Sequence, residues 1–206
     1  MSPIDSRDGD PGPVAGCARH NRGMRNAGEV LTVGHSNHPI DLFTELLRGA
    51  RVEAIADVRR YPGSRRNPQF GAAALEVSLA EAGIAMAAFG KELGGRRASG
   101  EAGDRRNAGW RNSSFRAYAD HMATEEFAAG IERLERLASG RLTAVMCAEA
   151  DWRRCHRQLI ADALLARGWR PVHLLADGRR ESHRLSPHAV VEAGLVSYPG
   201  QPQLEL

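Results

Sequence analysis

Apolar residues recur along this chain in two rhythms, short runs of strand length and stripes spaced three and four apart. Glu29-Val30-Leu31-Thr32-Val33-Gly34 is a short apolar run that predicts a buried strand. Pro39 suits the first position of a helix, Leu42, Phe43, Leu46 and Leu47 form its apolar face, and Gly49 marks its end. A second strand is predicted over Ala54–Arg59, then a polar loop to Phe70, a helix over 72–82 and a third strand over Ile84–Phe89. Phe115–Met122 predicts a short helix. Thr124 reads as the N-cap of a longer one striped by Phe127, Ile131, Leu134 and Ala138. Leu142–Met146 is strand-like, residues 153–167 helical with Leu159, Ile160, Ala163 and Leu164 inward, and Pro171–Leu175 is the last strand. Beyond Asp177 the pattern predicts irregular or partly helical chain.

Strands alternating with helices predict one three-layer α/β domain over residues 29–206, with a mainly parallel sheet flanked by helices. Residues 1–28 are rich in Gly, Pro, Asp, Arg and Asn and predict a disordered tail. In such sheets ligands bind beyond the carboxyl ends of the strands. That edge would receive His35 and Ser36 from the first strand, Asp57 and Arg59 from the second, and Cys147 and Glu149 from the fourth.

Composition changes this picture little. The chain has 206 residues and a formal charge of +3, too small to argue a nucleic-acid protein from charge alone. Of its 28 basic residues only Lys91 is lysine. Arginine suits bidentate recognition of phosphate and carboxylate, but a GC-rich genome produces the same bias. Three cysteines, Cys17, Cys147 and Cys155, do not suggest a secreted disulfide framework. With no membrane-length apolar run and no signal-peptide pattern, a reducing cytoplasm is the expected location.

The ordered motifs Thr32-Val33-Gly34-His35-Ser36-Asn37, Asp57-Val58-Arg59, Ser64-Arg65-Arg66-Asn67-Pro68-Gln69-Phe70, Glu92-Leu93-Gly94-Gly95 and Cys147-Ala148-Glu149 with Cys155-His156-Arg157 give the chain a family likeness. Over about residues 30–175 it resembles the bacterial family called domain of unknown function 488. The resemblance implies a compact α/β fold with this motif set as its site, and implies no reaction. One departure is Trp152, which follows Asp151 where the family often has Pro.

In the last motif, Asp151 is expected to cap a helix whose first turns hold Cys155, His156 and Arg157. Amides and the helix dipole there favour an anion and lower a thiol pKa, and Arg157 is placed to clamp a phosphate or carboxylate. The structural alternative is a buried Cys147, a core-facing Cys155 and a solvated Arg157. Cys147 and Arg153 have the Cys-x5-Arg spacing of phosphatase loops. The intervening Glu149 and Asp151, and the absence of glycine, argue against an anion cradle there. Cys147, Cys155 and His156 are acceptable zinc ligands. Neighbouring Cys155 and His156 are expected on different sides of a helix, so no metal is assigned. Asp57 beside His35 is expected to raise the imidazole pKa and fix its tautomer, unless Asp57 and Arg59 form a structural ion pair.

These residues predict an enzyme acting on a phosphate-bearing substrate, a nucleotide or nucleic acid. His35, Asp57, Glu149 and Cys147 are the catalytic candidates. Ser36, Arg59, Arg65, Asn67, Cys155, His156 and Arg157 are the substrate-binding ones. No cofactor fingerprint and no membrane contact is expected. The rivals are a thiol-dependent sulfurtransferase or redox protein using Cys147 and Cys155, and a non-enzymatic nucleic-acid-binding or regulatory module.

Overall fold

Strands β1 (Glu29–Gly34), β2 (Ala54–Asp57), β3 (Ala85–Ala88), β4 (Thr143–Cys147) and β5 (Arg170–Leu174) are joined by helical crossovers and pair in parallel. Short β6 (Arg180–Ser182) adds antiparallel to β5, giving the order β3-β2-β4-β1-β5-β6. The structure, a computed structural model, describes residues 28–63, 65–97 and 106–200. The expected tail with Cys17, and the centre of the Gly/Arg-rich loop after Gly95, lie outside these residues.

The sheet is buried on both faces, which is why its strands read as continuous apolar runs. Leu31, Val33, Ile55, Ala144 and Met146 pack with Phe43, Leu47, Leu75 and Leu79 of helices α1 (Ile40–Gly49) and α2 (Ala72–Glu81). Val30, Ala56 and Val145 face the other way, onto α3 (Ser113–His121), α4 (Glu125–Ala138) and α5 (Arg157–Ala166). Thr124 caps α4 as expected, its hydroxyl accepting from the Phe127 amide at 3.2 Å. Among the described residues no helix is long and apolar enough to cross a membrane.

Three local expectations are corrected. Leu42, assigned to the apolar face of α1, is 56% exposed. The segment 153–167 is not one helix: Trp152–Arg154 is a 3-10 turn, Cys155 is extended (φ −126°, ψ 146°) and α5 starts at Arg157. The segment after Asp177 contains β6 and a hairpin, β7 (Val190–Glu192) with β8 (Leu195–Ser197). Its turn residues Ala193 (φ 50°) and Gly194 (φ 80°) are both left-handed, as a two-residue hairpin turn requires. Alanine at the first of them masks the signal.

Because β4 lies between β1 and β2, the carboxyl ends of these three strands are neighbours. The His35 amide donates to the Cys147 carbonyl at 3.0 Å, and the Val58 amide to the Met146 carbonyl at 3.0 Å.

Candidate functional site

Beyond β1 and β2 lies a buried polar knot. The Arg59 guanidinium pairs with the Asp57 carboxylate through Nε (2.8 Å) and a terminal nitrogen (2.7 Å), the bidentate geometry that makes such pairs strong. Its other terminal nitrogen donates to the Phe70 carbonyl at 2.6 Å and lies 3.2 Å from His35 Nε2. His35 Nδ1 is 2.8 Å from the Ser36 carbonyl, which can only accept, so Nδ1 carries the proton and Nε2 accepts from Arg59. The ring stacks on Phe70 at 4.0 Å. Arg59 stands between Asp57 and His35 and reverses the expected titration. Burial, then the Arg59 charge, lower the imidazole pKa to about 4.

A second knot lies under α5 and β5. Buried Asp162 accepts from His183 Nε2 (2.9 Å), the Ser186 amide (2.9 Å) and hydroxyl (2.6 Å), and Tyr198 (2.8 Å). His183 Nδ1 is 3.0 Å from His173 Nε2, and His173 Nδ1 is 2.7 Å from the Thr32 hydroxyl. Trp152 stacks on His173 at 3.7 Å, tying the site loop to β5. Burial, then the neighbouring His183, lower the His173 pKa to about 3.

His35 and His173 thus stay neutral in the fold while an unfolded histidine takes up a proton near pH 6.5. A depressed histidine pKa gives stability that is complete above pH 6.5 and is lost as pH falls toward 4 for His35 and 3 for His173. The expected slope is up to about 1.4 kcal/mol per pH unit for each ring. Urea midpoints should drop between pH 7 and pH 5, and His35→Gln should flatten the drop. An equal drop in that variant would contradict the assignment.

The cleft beside the strand ends has a volume of about 450 Å³, within the range of small-ligand sites. Its floor carries Cys147, Glu149, Cys155 and His156. Arg59, Arg60 and Tyr61 come from the loop after β2, Gly95 and Arg96 from the segment after β3, and Ser114, Phe115 and Tyr118 from α3. His35, Asp57 and Arg157 do not line it, nor do Ser36, Arg65 and Asn67. The arginines divide in two. Arg59 and Arg157 are buried and committed. Arg60, Arg96 and Arg154 reach the cleft, and their guanidinium groups make no hydrogen bond or ion pair among the described residues.

Arg157 is 1% exposed. It donates to the Glu149 carbonyl, to the Ala150 carbonyl at 3.4 Å and from Nε to Cys155 Sγ at 3.4 Å. Among the described residues no carboxylate pairs with it, so the Cys155 sulfur is its nearest possible counter-charge. Cys155 sits well below the ordinary thiol range because the Cys147 thiol hydrogen-bonds to it and His156 and Arg157 adjoin it. Cys147 is pushed up by that same bond and by burial. The Cys-x5-Arg spacing forms no cradle: Arg153 pairs with Glu181 at 2.6 Å on the surface.

The sequence model of the family described as "Domain of unknown function DUF488" matches residues 39–164. The chain belongs to this family. The matched DUF488 span runs from α1 into α5 and carries Arg59, Cys147 and Cys155-His156-Arg157, while His35 and the His173–His183 pair fall outside it. No match was found among curated proteins or among solved structures. Sequence reasoning missed the DUF488 cleft's Arg60 and Arg154, for which exposure and not residue type is the signal. It also missed Asp162, whose available signal was a lone carboxylate inside the apolar run Leu159–Leu165.

Proposed function

We propose that the chain is an enzyme that binds a phosphate-bearing substrate in this cleft and acts on it with the Cys147–Cys155–His156 wall. The observation that carries the reading is the set of three uncommitted arginines, Arg60, Arg96 and Arg154, around a wall of two thiols and an imidazole. Guanidinium groups without internal partners are free to make charge-assisted bonds to phosphate oxygens. Anion binding thereby moves from Arg157 and Arg59, which the protein itself occupies, to the rim. A volume of about 450 Å³ suits a mononucleotide or a sugar phosphate better than a duplex. Glu149, exposed at the cleft, is the acid–base candidate with access to a ligand. The neutral His35 and Asp57, neither of which lines the cleft, then support the loop from behind, with Asp57 fixing Arg59 at the cleft wall.

Arg60→Ala should weaken binding of inorganic phosphate or a nucleoside monophosphate about tenfold, the order expected for one charge-assisted bond. It should also reduce the salt dependence of binding. Calorimetric titration at two salt concentrations checks both, and an unchanged affinity would sink the phosphate reading. The apposition of Cys147 with Cys155, opposite buried Arg157, favours thiol transfer or redox chemistry as a second reading.

A further inference from the structure

We propose that Cys147, Cys155 and His156 form a zinc site of the open, catalytic type, with its fourth position facing the arginine-rimmed cleft. Sequence spacing counts against a metal only if Cys155 and His156 share a helix. They do not. Cys155 is extended and His156 only begins the turn into α5, and Cys155 Sγ lies beside His156 Nδ1.

The Sγ atoms of the two cysteines and a ring nitrogen of His156 all lie within 4.8 Å of one another. Zinc bonds of about 2.3 Å to sulfur and about 2.0 Å to nitrogen, at a tetrahedral angle, separate sulfur from nitrogen by about 3.6 Å. Cys155 Sγ and His156 Nδ1 stand 3.6 Å apart. The two sulfurs of such a site would be about 3.8 Å apart. From a spread of at most 4.8 Å, that needs no more than about 1 Å of movement by Cys147.

The surroundings match what a metal ligand needs. His156 Nε2 lies 3.3 Å from the Val58 carbonyl, which can only accept. That bond holds the proton on Nε2 and leaves the Nδ1 lone pair beside the sulfurs, the arrangement usual for a ligating histidine. Arg157 Nε donates to Cys155 Sγ at 3.4 Å, a donor suited to a thiolate. Gly95 packs against the ring: a Cβ there would come within 2.9 Å of Nδ1, so glycine keeps that nitrogen uncrowded. All three ligands line the cleft, which leaves the fourth coordination position for water or substrate. Zinc fits this set of two thiolates and an imidazole better than magnesium or calcium, which prefer oxygen.

The inference deepens the cleft reading and rests on it only for the role of the open position. It opposes the thiol reading, because metal-bound sulfurs are withdrawn from redox cycling. The test is cobalt(II) added to the full, reduced, metal-free chain. One cobalt per chain should bind, with intense thiolate-to-cobalt charge transfer in the near ultraviolet and tetrahedral d–d bands in the red, and zinc should displace it. Cys147→Ser and Cys155→Ser should each lose the charge-transfer intensity of one sulfur, and His156→Ala should lower affinity roughly a hundredfold or more. Cys17→Ser should leave the spectrum unchanged, and circular dichroism of each variant guards against unfolding. A wild-type spectrum without charge transfer, or one that survives both site-cysteine substitutions, overturns the site. Formation of a Cys147–Cys155 disulfide in the presence of saturating zinc does so as well. Phosphate binding to the metal-free chain and its weakening in Arg60→Ala are read separately, so either idea can fail alone.

Discussion

Replacing Asp162 by alanine is expected to destabilise the fold by about 4 kcal/mol. The carboxylate is fully buried and accepts four hydrogen bonds, from His183, Ser186 (twice) and Tyr198. Alanine leaves all four donors without that acceptor. Each stranded buried donor costs roughly 1–3 kcal/mol, partly relieved by local rearrangement. The donors all come from the segment after β5, so the same change should release it. Urea denaturation should show the loss of stability, and hydrogen exchange of the Ser186 and Tyr198 amides should accelerate. A loss under about 1 kcal/mol would mean that Asp162 is not the clasp described.

Gly34→Ala is expected to cost about 3 kcal/mol and to displace the cysteine loop. A Cβ on Gly34 would stand 2.1 Å from the Glu149 carbonyl oxygen and 2.9 Å from the Ala150 Cα. Both are backbone atoms, so no side chain can turn aside. The loop is also anchored from behind, by Arg157 on the Glu149 carbonyl and by the Ser36 amide on the Ala148 carbonyl at 3.0 Å. It can yield only by giving up those bonds. Gly49→Ala is the matched control, since a Cβ there meets nothing within 4 Å and the residue ends helix α1. That control should be neutral or stabilising by up to about 1 kcal/mol. Equal midpoints for the two variants would show that the loop does not need the glycine.

Much of this molecule is legible in its sequence. The alternation of strands and helices and the mainly parallel sheet follow from local apolar periodicity, whereas the meeting of β1, β2 and β4 at one edge rests on the strand order of the folded sheet. That periodicity is local because each strand or helix must bury its own face. The segment after Asp177 is not legible, because its strands are three residues long and its turn begins with alanine. Nor is the Asp162 clasp, whose partners lie 21, 24 and 36 residues away.

By itself, then, the sequence determined the fold class and the family. Tertiary structure decided the state of each group in the candidate site. Arg59, Arg60, Arg154 and Arg157 are one residue type, yet two are buried against internal acceptors and two are exposed at the cleft. Proximity in sequence pattern would have Asp57 raise the His35 pKa, but Arg59 takes that carboxylate and burial keeps the ring neutral. A continuous helix would make Cys155 and His156 diverge, but an extended residue between a 3-10 turn and α5 brings them together. Charge state and side-chain direction depend on burial and on partners distant in sequence, and only the closed chain supplies those.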